Sequence, residues 1–128
     1  MDIQCIAGYA VITADSDASA NCYRDMLGLP LHSRDEYLCV DGFEGAKHFG
    51  IWPLHMAAES CFGTDTWPED IPVPTSTIEF ELADVAAVEA AVQEMQAQGQ
   101  VFVHGVREEP WGQTLARFLS PENVLVGL

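Results

Sequence analysis

Thr77-Ile78-Glu79-Phe80-Glu81-Leu82-Ala83-Asp84-Val85-Ala86-Ala87-Val88-Glu89-Ala90-Ala91-Val92-Gln93-Glu94-Met95-Gln96-Ala97-Gln98-Gly99 is the stretch that decides the fold. Its first six residues alternate polar and apolar, the period of a strand with one buried face. Asp84 offers a side-chain oxygen where a helix needs its N-cap. Val85, Val88, Val92 and Met95 then form an apolar stripe at helical spacing, and Gly99 stands at the expected C-cap. Gln100 to Val106, Thr114 to Leu119 and Asn123 to Leu128 supply three further strands, broken by Glu108-Glu109-Pro110 and Ser120-Pro121-Glu122. This half of the chain reads β-α-β-β-β.

The first half repeats the plan. Ile6 to Thr13 is an apolar, β-branched run, and Asp15 follows it at the corner that Asp84 occupies 69 residues later. Ala18, Cys22 and Met26 recur at helical spacing, with Leu27 beside them, and Gly28 and Pro30 stop the helix. Leu31 to Arg34, Tyr37 to Val40 and Ala46 to Trp52 are short strands separated by polar turns. Between the halves, Pro68, Pro72 and Pro74 with Gly63 and Asp65 argue against regular secondary structure over Ala57 to Pro74. The organisation is one domain over 1–128: module 1 about 1–56, a Pro-rich connector 57–74, and module 2 about 75–128.

Composition limits the partners. The chain has 128 residues, 48% of them hydrophobic, enough for a core without staples. Twenty acids against five Lys and Arg give a net charge of −15. Such a chain cannot assemble the basic stripe that nucleic acid requires, and docking to an anionic membrane is disfavoured for the same reason. Cys5, Cys22, Cys39 and Cys61 lie 17, 17 and 22 residues apart, without zinc spacing. Two disulfides are the alternative, but buried free thiols in a cytoplasmic protein are the expectation. The first residues lack the positive charge of a signal peptide, and no run reaches the ~18 apolar residues of a membrane span.

Several stretches carry a family resemblance. Asp15-Ser16-Asp17-Ala18-Ser19-Ala20-Asn21-Cys22-Tyr23-Arg24-Asp25-Met26-Leu27-Gly28-Leu29 resembles the first helix of the vicinal oxygen chelate superfamily, which includes glyoxalase I, extradiol dioxygenases and bleomycin resistance proteins. Pro110-Trp111-Gly112-Gln113 with Arg117-Phe118-Leu119-Ser120-Pro121-Glu122-Asn123 is similar to its closing hairpin, where Ser120 and Glu122 stand in place of the usual Asp and Gly. The resemblance implies an α+β fold: two βαβββ modules forming curled mixed sheets around a cavity, with the helices outside. It also implies a homodimer.

Metal enzymes of that superfamily place a ligand on the first and last strand of each module. Carried onto this chain, those positions are Gly8, Thr77 and Gly127, with His48 the nearest match on the fourth strand. Three of the four lack the expected ligating side chain, and one His cannot hold a divalent ion tightly. No metal or other cofactor is therefore expected; a shifted site using Glu79 or Glu81 with His48 is the alternative.

Strand alternation then selects candidate ligand-binding residues. With Ile78, Phe80 and Leu82 under the helices, Glu79 and Glu81 point to the cavity; on the fourth strand His48 and Trp52 share a face. Trp111 enters with the closing hairpin. An acid beside an aromatic wall suits a cationic or aromatic small molecule, as in the bleomycin resistance group. The alternatives are a solvated concave face for the acids and core filling for Trp52. A metal-dependent lyase, isomerase or dioxygenase with an unusual metal site is the competing function, and an interaction module without a pocket the third. Trp67, in the connector, is either a plug or a lid. His32, His55 and His104 are assigned to structure.

Overall fold

Both corner aspartates cap helices as their positions demand. In the computed structural model, which describes residues 1–128, the Asp15 carboxylate accepts from the Ala18 N–H at 3.0 Å and the Asp84 carboxylate from the Ala87 N–H at 2.8 Å. Each bond satisfies an N–H group that the first helical turn leaves without a partner.

The elements follow in the order β1 (Cys5–Thr13), α1 (Ser16–Ala20), β2 (His32–Arg34), β3 (Tyr37–Asp41), β4 (His48–Pro53), α2 (Leu54–Phe62), β5 (Ser76–Glu81), α3 (Val85–Ala97), β6 (Phe102–Glu108), β7 (Thr114–Leu119) and β8 (Leu125–Gly127). After α1 the helix continues as a π turn over Asn21–Met26, where the Leu27 N–H donates to the Cys22 carbonyl five residues back. Gly28, at φ +72°, ends it in the left-handed region that only glycine enters freely.

All eight strands belong to one open sheet, ordered β2-β3-β4-β1-β5-β8-β7-β6. The order is the same from either edge. In each half the first strand lies parallel to the last (β1 with β4, β5 with β8), and two antiparallel strands complete the half. β1 and β5 pair antiparallel at the centre and join the halves.

Alternation distributes the faces. Leu82, Ala116 and Leu128 pack with Val88, Ala91 and Val92 of α3, so α3 covers the outer face. The α3 stripe begins one turn later than the spacing suggests: Val85 is half exposed, and Ala91 joins the buried face instead. Arg117, between Ala116 and Phe118, points to the other side.

The connector differs from the expectation. Its prolines all follow residue 67, and the residues before them form α2, which starts after Pro53 and ends at Gly63 with φ +75°. Ala57, Ala58 and Cys61 of α2 pack against Ala10, Ile12, Trp52 and Leu125. Ala10 and Trp52 also line the cavity, so α2 lies on the concave face and floors the cup, while α1 and α3 remain outside. Trp67 is the plug of the two alternatives: buried in the same cluster, it stands edge-on to Phe62 at 4.8 Å between ring centres, and its Nε1–H donates to the Ile71 and Pro72 carbonyls at 3.1 Å. All four cysteines are free thiols, Cys39 and Cys61 buried. No helix is long and apolar enough to cross a membrane.

Candidate functional site

Strand register brings distant residues into one row across the concave face. Asp41 pairs with His48, His48 lies beside Gly8, Gly8 pairs with Glu79, Glu79 with Gly127, Gly127 with Arg117, and Arg117 with His104. Above this row is a cavity of about 550 Å³, a size ordinary for small-molecule sites.

His48, Trp52, Glu79 and Trp111 all line that cavity. Glu81 does not, contrary to the alternation argument. It keeps the right parity but lies two residues further along β5, past a register shift in β1 between Ile6 and Gly8. There it accepts from Lys47 Nζ at 2.6 Å and from Cys5 Sγ at 3.3 Å, and the Lys47 hydrogen bond holds its carboxyl below the usual glutamate range.

At one end of the row three side chains form a hydrogen-bonded chain. His48 Nδ1 lies 2.6 Å from Asp41 Oδ1, and His48 Nε2 lies 2.5 Å from the Tyr37 hydroxyl. An ionised carboxylate only accepts, so Nδ1 carries a proton; in the neutral imidazole Nε2 then accepts from the Tyr37 O–H. The His48 hydrogen bond, with Arg34 adding at 2.5 Å, holds the Asp41 carboxyl below the ordinary range. Burial pushes the Tyr37 phenol well above its usual value. Tyr37 occupies the space above Gly50, where an added Cβ would collide with the phenol ring and hydroxyl.

At the other end stands Arg117, with a side chain only 1% exposed. Its Nη1 donates to Ser60 Oγ at 2.8 Å, Glu109 Oε1 at 2.9 Å and His104 Nε2 at 3.2 Å; its Nη2 donates to Glu79 Oε1 at 3.3 Å. The guanidinium carbon lies 5.1 Å from the centre of the Trp52 ring, within cation–π range. His104 Nδ1–H donates to the Gly105 carbonyl at 2.8 Å, leaving Nε2 as the acceptor. Burial first, then the charges of Arg117 and Arg107, lower the His104 pKa and keep the ring neutral. His104 thus supports a buried cation, a closer tie to the site than a purely structural assignment implied.

Glu79 links this cluster to the rim. Its second carboxylate oxygen accepts from Gln113 Nε2 at 3.0 Å, and Gln113 Oε1 accepts from Trp111 Nε1 at 2.9 Å. Glu79 can lie across the sheet because residue 127 is glycine: a Cβ there would stand 3.0 Å from Glu79 Cγ.

The cavity is less acidic than the sequence suggests. Asp35, Asp41 and Glu79 face Arg34 and Arg117, giving 2 − 3 = −1 with His48 neutral. Arg117 and Asp41 were missed as site residues, as were Tyr37 and Gln113. One signal was available for Arg117: a lone charge between Leu115-Ala116 and Phe118-Leu119, mid-strand, facing away from α3.

The superfamily's metal does not fit this donor set. Gly8 and Gly127 have no side chain, and the Thr77 hydroxyl is buried without a partner. Glu79 is engaged by Arg117 and Gln113, and no three His, Cys, Asp or Glu side chains gather where an ion could be held.

Comparison with known proteins agrees with the architecture. The sequence profile described as Glyoxalase/Bleomycin resistance protein/Dioxygenase superfamily matches residues 6–128. Among solved structures, a glyoxalase/bleomycin resistance protein/dioxygenase superfamily member from Vibrio splendidus 12B01 is similar with a TM-score of 0.61 at 12% identity, covering 98% of this chain and 97% of that one. A methylmalonyl-CoA epimerase variant from Streptomyces coelicolor, in complex with 2-nitronate-propionyl-CoA, has a TM-score of 0.56 at 18% identity, covering 99% and 96%. A Legionella pneumophila structure described as NAD-dependent benzaldehyde dehydrogenase has a TM-score of 0.61 at 10% identity, covering 94% of each chain. At these identities the likeness is one of fold. Among curated protein sequences, none matches this chain.

Proposed function

The chain belongs to the Glyoxalase/Bleomycin resistance protein/Dioxygenase superfamily, and from that premise we propose that it binds a small planar, aromatic molecule in its central cavity without a metal ion. The observation that carries this reading is the cavity lining: Tyr37, His48, Trp52 and Trp111 surround about 550 Å³ of space, beside Gly8 and Thr77 at two of the positions where the resemblance implies metal ligands. Trp111 is 57% exposed at the rim, so a ligand stacking on it removes apolar area from water and gains ring-stacking energy. The near-balanced charge favours a neutral planar ligand over a strongly cationic one.

A thermal-shift screen of planar aromatics, run with and without chelator, tests the proposal. Binding at 100 times Kd stabilises by ~2.7 kcal/mol, which at ~3–5 °C per kcal/mol for a chain of this size is about 10 °C. Chelator leaves that shift unchanged, and Trp111→Ala reduces it. Stabilisation by cationic compounds alone, or only after added Zn, Ni, Mn or Fe, overturns the reading.

A further inference from the structure

The Asp41–His48–Tyr37 chain has a polarity set by one proton. With neutral His48, Nδ1–H is held by Asp41 and Nε2 accepts the Tyr37 O–H, so the Tyr37 oxygen presents only lone pairs to the cavity that Tyr37 lines. With protonated His48, Nε2–H donates to Tyr37, and the Tyr37 O–H turns outward as a donor. A ligand that both gives a proton and afterwards accepts a hydrogen bond matches the two states in turn. An acidic hydroxyl on a planar ring does this. The Tyr37 and His48 rings lie 24° from parallel with centres 5.7 Å apart, a flat wall for such a ring.

We propose that Tyr37 takes the proton of a phenol-type hydroxyl on the bound ligand and passes its own proton to His48. This deepens the preceding proposal and rests on its planar ligand. The ligand O–H bond breaks as an O–H bond forms on Tyr37; the original Tyr37 O–H bond breaks as an N–H bond forms on His48 Nε2. The ligand remains as the phenolate, accepting from Tyr37, and the imidazolium is held by Asp41. No electrons change hands, no co-reactant is needed, and the net charge of the site is unchanged. Tyr37 acts as the conduit, since burial disfavours a lasting tyrosinate. Asp41, 2.6 Å from Nδ1, is what makes His48 the resting place of the proton.

The test uses 4-nitrophenol, whose phenolate is yellow, and 4-nitroanisole, which has the same ring but no proton to give. Binding is measured by calorimetry and ionisation by absorbance near neutral pH, where a neutral imidazole is available to accept the proton, and the phenolate band is read as the increase over that of free 4-nitrophenol. The wild-type protein binds both probes and produces the phenolate band with 4-nitrophenol. Tyr37→Phe and His48→Gln lose the band when each is saturated with 4-nitrophenol, the saturating concentration being set by calorimetry on that variant. If both probes bind but the band fails to form, or persists in Tyr37→Phe, the proton step is overturned and the planar-ligand reading stands. If neither probe binds, the planar-ligand reading falls and the proton step with it.

Discussion

Replacing Arg117 with Met tests whether the buried cation organises the site. The substitution keeps most of the side-chain volume and removes the charge. Glu109, whose side chain is 4% exposed, then loses its 2.9 Å partner and keeps only the Ser60 hydroxyl at 3.1 Å and Arg107 at 3.3 Å, itself 38% exposed. Glu79, 20% exposed, retains Gln113 and some solvent, so it contributes less. Removing one partner of a buried pair costs ~3–5 kcal/mol. The residual Arg107 contact puts the expectation at the lower end, ~3 kcal/mol, or about 10 °C in Tm. Urea unfolding followed by tryptophan fluorescence measures it, since Trp52 lies directly under the guanidinium. Most of the cost is the stranded carboxylate, so Arg117→Met with Glu109→Gln recovers at least half of the loss. A single variant that loses less than ~1 kcal/mol, or a double variant no more stable than the single, refutes the argument that Arg117 neutralises Glu109.

Three further outcomes are expected. Gly127→Ala sets a Cβ 3.0 Å from Glu79 Cγ and lifts Glu79 from Arg117; ~1–3 kcal/mol of stability is lost by thermal unfolding, and Gly127→Ala combined with Glu79→Ala recovers part of it. His104 is held neutral by burial and by Arg117, so its folded pKa is depressed. The unfolded chain therefore binds the extra proton first, and stability falls as pH drops from ~6.5 toward the folded value. His104→Gln flattens that part of the stability profile. Burial pushes the Cys61 thiol up to about 11 and also raises Cys39, so a thiol reagent on the native protein labels Cys5 and Cys22 first, as peptide mapping will show.

The Thr77–Leu82 alternation and the Asp84 cap foretold β5 and α3 because both are local patterns, expressed within one or two turns. The same alternation put Glu81 in the cavity, because parity says which face a residue takes but not where the cavity ends along the strand. α2 was obscured by prolines that in fact follow it; Ala57, Ala58 and Cys61 carried its signal. The acids were counted without their cations, since nothing near Glu79 in the sequence indicates that Arg117 will lie beside it.

By itself, the sequence determined two βαβββ units with capped helices, and it set Gly8, Thr77 and Gly127 at positions where the resemblance implied metal ligands. Hydrophobic period, caps and residue identity are local properties, and a linear reading captures them. Only the tertiary structure decided which side chains share the cup. The row from Asp41 through His48, Glu79 and Arg117 to His104 is assembled by strand register across the whole chain. It is there that carboxylates meet guanidinium groups, Tyr37 meets His48, and a chain of net charge −15 encloses a nearly neutral cavity.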